Sequence, residues 1–134
     1  MKEAILSKVP MIAIVDDDES FRRATASFIR SLGYVAAAFG SAEAFLKSDR
    51  INDTDCVISD VQMPGMSGVE LHKHLIKAGH VIPTILVTAY PDEMTRNRAL
   101  MDGVVCYLAK PVDDDHLERC LGSVLDSGTH EENS

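Results

Sequence analysis

Five apolar runs alternate with five amphipathic stretches along this chain. Residues 11–15 are aliphatic and stop at a run of acids, after which Phe21, Ala24, Phe28, Ile29 and Leu32 recur at helical spacing until Gly33. Residues 34–39 predict a second strand of small side chains. Ser41 then caps a helix with Glu43 near its start and Ala44, Phe45 and Leu46 on its apolar side. Residues 55–59 predict a third strand, which runs into Asp60 and breaks at Pro64-Gly65. Ser67 caps a third helix, with Val69, Leu71, Leu75 and Ile76 as its buried face and Gly79 at its end. Residues 83–87 and 104–108 predict the fourth and fifth strands. Between them, residues 92–101 have only Met94, Ala99, Leu100 and Met101 to bury around a polar centre, which predicts a weakly anchored helix. The clearest stripe, Leu117, Cys120, Leu121, Val124 and Leu125, belongs to the last helix.

The central strands read as continuous apolar runs rather than alternating ones. That pattern predicts an α/β fold: a five-stranded parallel sheet, doubly wound, with helices on both faces and right-handed crossovers. One domain is expected over residues 11–126, with an amino-terminal extension at 1–10 and a polar tail at 127–134. A dinucleotide site is poorly supported, because acids follow the first strand where a glycine-rich turn would be needed.

The formal charge of −8 changes the picture of partners, since nucleic acid and anionic membrane both call for a basic surface. The apolar residues 9–15 lead into Asp16-Asp17-Asp18-Glu19 rather than a cleavage site, and nothing later predicts a membrane span. Cys56, Cys106 and Cys120 lack metal-type spacing and lie in apolar surroundings, so reduced, buried thiols in a cytoplasmic protein are expected. His72 and His74, two apart, should point to different sides of a helix rather than share a metal.

Candidate chemistry gathers at the strand ends. In a doubly wound sheet the carboxyl ends of strands one, three, four and five converge, and here they carry Asp16 and Asp17, Asp60, Thr88 and Lys110. Taken singly, each has an ordinary use: an acid at a helix start, a loop cap, a β-branched strand residue, a turn lysine. Together they place three carboxylates, a hydroxyl and an ammonium in one small volume. Such a cluster calls for a proton, the lysine or a hard cation, and its oxygen ligands suit Mg²⁺ together with a phosphoryl group.

The ordered motifs Ile12-Ala13-Ile14-Val15-Asp16-Asp17-Asp18, Asp60-Val61-Gln62-Met63-Pro64-Gly65-Met66-Ser67-Gly68, Thr88-Ala89 and Lys110-Pro111 resemble those of receiver domains of two-component response regulators. The resemblance runs from Met11 to Leu125. Ser41-Ala42-Glu43-Ala44-Phe45-Leu46 and Met66-Ser67-Gly68-Val69-Glu70-Leu71 resemble the FixJ-like branch. The resemblance implies the flavodoxin-like strand order 2-1-3-4-5 and a phosphorylation-dependent switch rather than a turnover enzyme. Asp60 would accept a phosphoryl group from a sensor histidine kinase or a histidine phosphotransfer protein. Asp17, Asp60 and the backbone carbonyl of Gln62 would ligate Mg²⁺, with Asp16 helping through water. Lys110 and Thr88 would bind the phosphoryl oxygens, and Thr88 and Tyr107 would move together as the switch. Lys110-Pro111 would be cis. Gln62 and Tyr90 lie at positions that vary among relatives and tune the lifetime of the acyl phosphate. A phosphorylation-dependent homodimer through the fourth helix and fifth strand would fit, with no direct contact to nucleic acid or membrane.

The reading is of a stand-alone switch, a trimmed piece of a longer regulator being the other way to account for the chain's extent. A rival reading is a Mg²⁺-dependent phosphatase resembling the haloacid-dehalogenase family, with Asp16 as nucleophile and Asp18 as acid/base. It leaves Asp60 unexplained and no room for the usual flap. A degenerate receiver used only for docking is a third reading, opposed by the complete set of acidic, hydroxyl and lysine positions.

Overall fold

The computed structural model describes residues 9–125. The proposed tail at 127–134 and most of the extension at 1–10 lie outside the described residues.

Strand β1 (Met11–Val15) is buried at every position, as a strand covered on both faces must be. Helix α1 (Glu19–Ser31) starts at Asp18, whose carboxylate accepts from the backbone N–H groups of Ser20 and Phe21. Strand β2 (Val35–Phe39) forms one edge, and α2 (Ala42–Lys47) begins at the Ser41 cap. Strand β3 (Cys56–Asp60) is buried throughout. Helix α3 (Gly68–Lys77) opens with a reciprocal capping box, Ser67 receiving the Glu70 N–H and Glu70 the Ser67 N–H. Strand β4 (Thr84–Thr88), helix α4 (Glu93–Met101), strand β5 (Cys106–Ala109) and helix α5 (Asp114–Leu125) complete the alternation. All strand pairs are parallel, in the order β2-β1-β3-β4-β5, as expected.

Alternate strand residues feed opposite faces. Ile12, Ile14, Ile58, Ile85 and Val87 pack with Ile29 of α1 and Leu117 and Leu121 of α5. On the other face Ala13, Val15 and Val57 meet Phe45 of α2 and Leu71 and Leu75 of α3, while Val61, Leu86 and Val104 meet Ala99 of α4.

Three side-chain expectations are corrected. Met94 and Met101 do not help anchor α4: they are 76% and 86% exposed, leaving Ala99 as its buried residue. On α3 the inward position goes to His72, and Ile76 faces outward at 53% exposure. Burial lowers the His72 pKa, with Asp102 opposing. Finally, Cys106 and Cys120 are not reduced thiols but a disulfide joining β5 to α5. Their Cα atoms are 6.5 Å apart, within bridging reach, and the pairing follows from how α5 lies against the sheet, which a spacing of 14 residues does not reveal. Cys56 is a free, buried thiol, as expected, its pKa pushed up to about 12 by burial, then by Asp55.

Candidate functional site

The parallel topology brings the carboxyl ends of β1, β3, β4 and β5 to one edge. Asp16, one residue beyond β1, is fully buried. One of its oxygens accepts from the Asp18 N–H at 2.8 Å, and the other receives the Lys110 ammonium at 2.9 Å. Arg22 reaches back from α1 to donate to the Asp16 carbonyl at 2.7 Å, fixing the backbone on which the acids sit. Asp17 is exposed, yet its carboxylate lies with those of Asp16 and Asp60 in a cluster to which each contributes one oxygen, the three lying within 4.8 Å of one another.

Asp60 ends β3 and is 7% exposed. Burial raises its pKa to about 6; Asp16 adds to the rise, while Lys110 and the backbone of Gln62 oppose it. Lys110 Nζ is 3.5 Å from the Asp60 carboxylate. Burial pulls on the lysine in the other direction, but its bonds and attraction to Asp16 and then Asp60 outweigh this and leave its pKa raised. The same ammonium stands 4.3 Å from the centre of the Phe21 ring. Lys110-Pro111 is cis, as the resemblance implied.

Thr88, fully buried at the end of β4, donates from Oγ1 to Gln62 Oε1 at 2.7 Å and accepts from the Tyr90 N–H at 3.0 Å. Tyr107 on β5 is half-buried, and its hydroxyl oxygen accepts from the Asp92 N–H at 3.2 Å. The loop after Asp60 is braced from two sides. Gly68 N–H donates to Val61 C=O at 3.0 Å, and a side chain at Gly68 would collide with the Asp60 carbonyl. Glu43 of α2 accepts from the Met66 N–H at 2.9 Å, a bond that holds the Glu43 carboxyl below its usual range.

The structure thus brings Asp16, Asp17, Asp60, Thr88, Lys110 and Gln62 together, with Tyr107 at the neighbouring loop. Sequence reasoning missed Arg22, Phe21 and Glu43. In the sequence Phe21 reads only as part of the α1 stripe and Glu43 only as an acid near the start of α2, and none of the three signals its partner there. Asp18 is spent on capping α1, and that helix begins at Glu19, which leaves the phosphatase reading neither its acid/base nor a flap.

A cluster of oxygen donors beside a half-buried lysine can hold a hard cation and neutralise a phosphoryl group. Comparison with known proteins gives the same direction. The sequence profile described as "Response regulator receiver domain" matches residues 12–121. Nodulation protein W of Bradyrhizobium diazoefficiens is 36% identical over 107 residues, which cover 80% of this chain and 47% of that protein. Transcriptional regulatory protein FixJ of the same organism is 32% identical over 114 residues, 85% of this chain and 56% of that one. The crystal structure of a response regulator receiver protein from Burkholderia phymatum superposes with a TM-score of 0.74 at 40% identity, covering 87% of this chain and 94% of that one. The chain spans about half the length of the curated relatives it matches. It belongs to the receiver-domain family of two-component response regulators.

Proposed function

We propose that Asp60 is the phosphoacceptor, and that the protein is a phosphorylation-dependent switch rather than a turnover enzyme. The observation that carries this is the buried Asp60 carboxylate 3.5 Å from the Lys110 ammonium, beside two further acids. An Asp60 oxygen attacks the phosphorus of a phosphohistidine on a sensor histidine kinase or histidine phosphotransfer protein. The new O–P bond forms as the P–N bond breaks, and its electron pair leaves with the imidazole nitrogen. Lys110 takes charge from the phosphoryl oxygens, and the Thr88 hydroxyl donates to one of them. Asp17, Asp60 and the Gln62 backbone carbonyl are the ligands proposed for Mg²⁺, with Asp16 through water; the oxygen-only donor set suits that ion. When bound, Mg²⁺ would supply positive charge to offset that of the transferring group.

Phosphorylation biases the Thr88 and Tyr107 arrangement and so the face of α4 and β5, through which we propose that phosphorylated copies pair. The net acidic charge argues against direct contact with nucleic acid, and a kinase partner argues for a cytoplasmic setting. Among the described residues no helix is long and apolar enough to cross a membrane.

Intact mass after incubation with a small-molecule phosphodonor tests the reading. A labile one-phosphate increase is expected in the wild type with Mg²⁺, absent without the metal and absent in Asp60→Asn. An adduct that survives Asp60→Asn and is lost in Asp16→Asn would overturn it.

A further inference from the structure

The hydroxyl of Thr88 is already committed at both ends. A backbone N–H can only donate, so the 3.0 Å contact from Tyr90 N makes Thr88 Oγ1 an acceptor there. The one hydroxyl proton then goes to Gln62 Oε1, 2.7 Å away. That proton cannot serve Gln62 and a phosphoryl oxygen on Asp60 at once. The partners also differ in freedom: Thr88 is fully buried, while Gln62 is exposed and can exchange the bond for one to water.

We propose that the Gln62 side-chain carbonyl is a latch that occupies the Thr88 proton in the resting protein and must release it before Thr88 can engage a phosphoryl group. This rests on the reading of Asp60 as phosphoacceptor. Gln62 is a positioning residue here: it acts through Thr88 rather than on the reacting atoms. The chain itself links latch and trigger, because Gln62 stands two residues after Asp60, on the loop that leaves the phosphoacceptor. The grip extends further, since Thr88 Oγ1 holds the Tyr90 N–H and the Tyr107 hydroxyl holds the Asp92 N–H. Both side chains therefore hold one short loop at the start of α4, and a Thr88 hydroxyl that turns from Gln62 and Tyr90 towards a phosphoryl group gives up one of its two anchors.

The test uses Gln62→Met, which keeps side-chain length and backbone carbonyl but removes the acceptor, and Thr88→Val, which removes the donor. Beryllofluoride with Mg²⁺ stands in for the phosphoryl group, titrated while the Tyr90 amide signal is followed by NMR. One net hydrogen bond lost from the resting state should tighten beryllofluoride binding by roughly three- to tenfold in Gln62→Met. In a Thr88→Val background the same change should have no effect, because the pair is already broken. Thr88 χ1 populations, measured from methyl couplings without any ligand, should spread among rotamers in Gln62→Met. Unaltered populations, unaltered or weaker binding, or an equal gain in the Thr88→Val background would each overturn the latch. If they do so while the wild type still binds beryllofluoride, the phosphoacceptor reading stands. A wild type that binds none would overturn that reading and the gating role with it, whatever the resting rotamers show.

Discussion

The helices of this domain are held to the sheet on very different terms. Under α1 and α5 the contact is deep: Ile29 and Leu121 are fully buried among Ile12, Ile14, Ile58 and Ile85. Under α4 it is shallow, with Ala99 as that helix's buried residue, meeting Val61, Leu86 and Val104. A helix whose inward side chain is a methyl group gives up little dispersion and little hydrophobic burial if it shifts. The α1 and α5 side is the foundation and the α4 side the lightly anchored part. Thr88 and Tyr107 reach the loop ahead of α4, on the lightly anchored side, while Asp16 and Asp60 stand at its border.

The sharpest way to break the comparison is to empty the foundation. Leu121→Ala should cost about 2–5 kcal/mol in a urea or thermal melt, because its neighbours cannot fully collapse into the space left. A cost under 1 kcal/mol would show that α5 is as loosely held as α4.

A smaller effect should come from the border. Asp60 has a folded pKa of about 6, above its ordinary 3.8, so folding favours its protonated form. The stability that this contributes is present below the ordinary pKa and is lost as pH rises through about 6. In metal-free protein with chelator, Asp60→Asn should therefore be the more stable partner at pH 8, by on the order of 2 kcal/mol, and the difference should shrink toward pH 4. Urea melts at the two pH values read this directly, and an advantage that is the same at both would remove the electrostatic account.

The least effect is expected on α4 itself. Met101→Gln alters a side chain that is 86% exposed and should change stability by less than about 0.5 kcal/mol. A larger loss in the same melt would mean that Met101 finds a partner and that α4 is better anchored than its contacts imply.

The order of elements and the gathering of Asp16, Asp60, Thr88 and Lys110 were legible in the sequence for one reason: each of these residues ends a strand or directly follows one, and parallel strands end on one side. Three kinds of fact were not legible. Helix roll was the first, since the apolar stripe Val69, Leu71, Leu75 and Ile76 does not say that Ile76 turns outward and the polar His72 inward. Met94 and Met101 failed in the same way, because hydropathy records that a residue is apolar without recording that α4 presents it to solvent. Individual side-chain hydrogen bonds were the second, among them the local one from Arg22 to the Asp16 carbonyl and the distant one from Thr88 to Gln62. The Cys106–Cys120 bridge was the third, because it depends on where α5 crosses β5 rather than on either cysteine's neighbours.

Both anchors of the loop before α4 fall on backbone N–H groups, those of Tyr90 and Asp92, with Pro91 between them contributing no donor. A grip on the backbone is indifferent to side-chain identity. Position 90 is therefore free to change its side chain, and so its recognition surface, without disturbing how the loop is held, whereas Asp92 is tied by its side chain as well, its carboxylate accepting from the Thr95 N–H at 3.0 Å and the Thr95 hydroxyl at 2.6 Å as the cap of α4. Proline is the one substitution barred at both, since it would erase the donor itself.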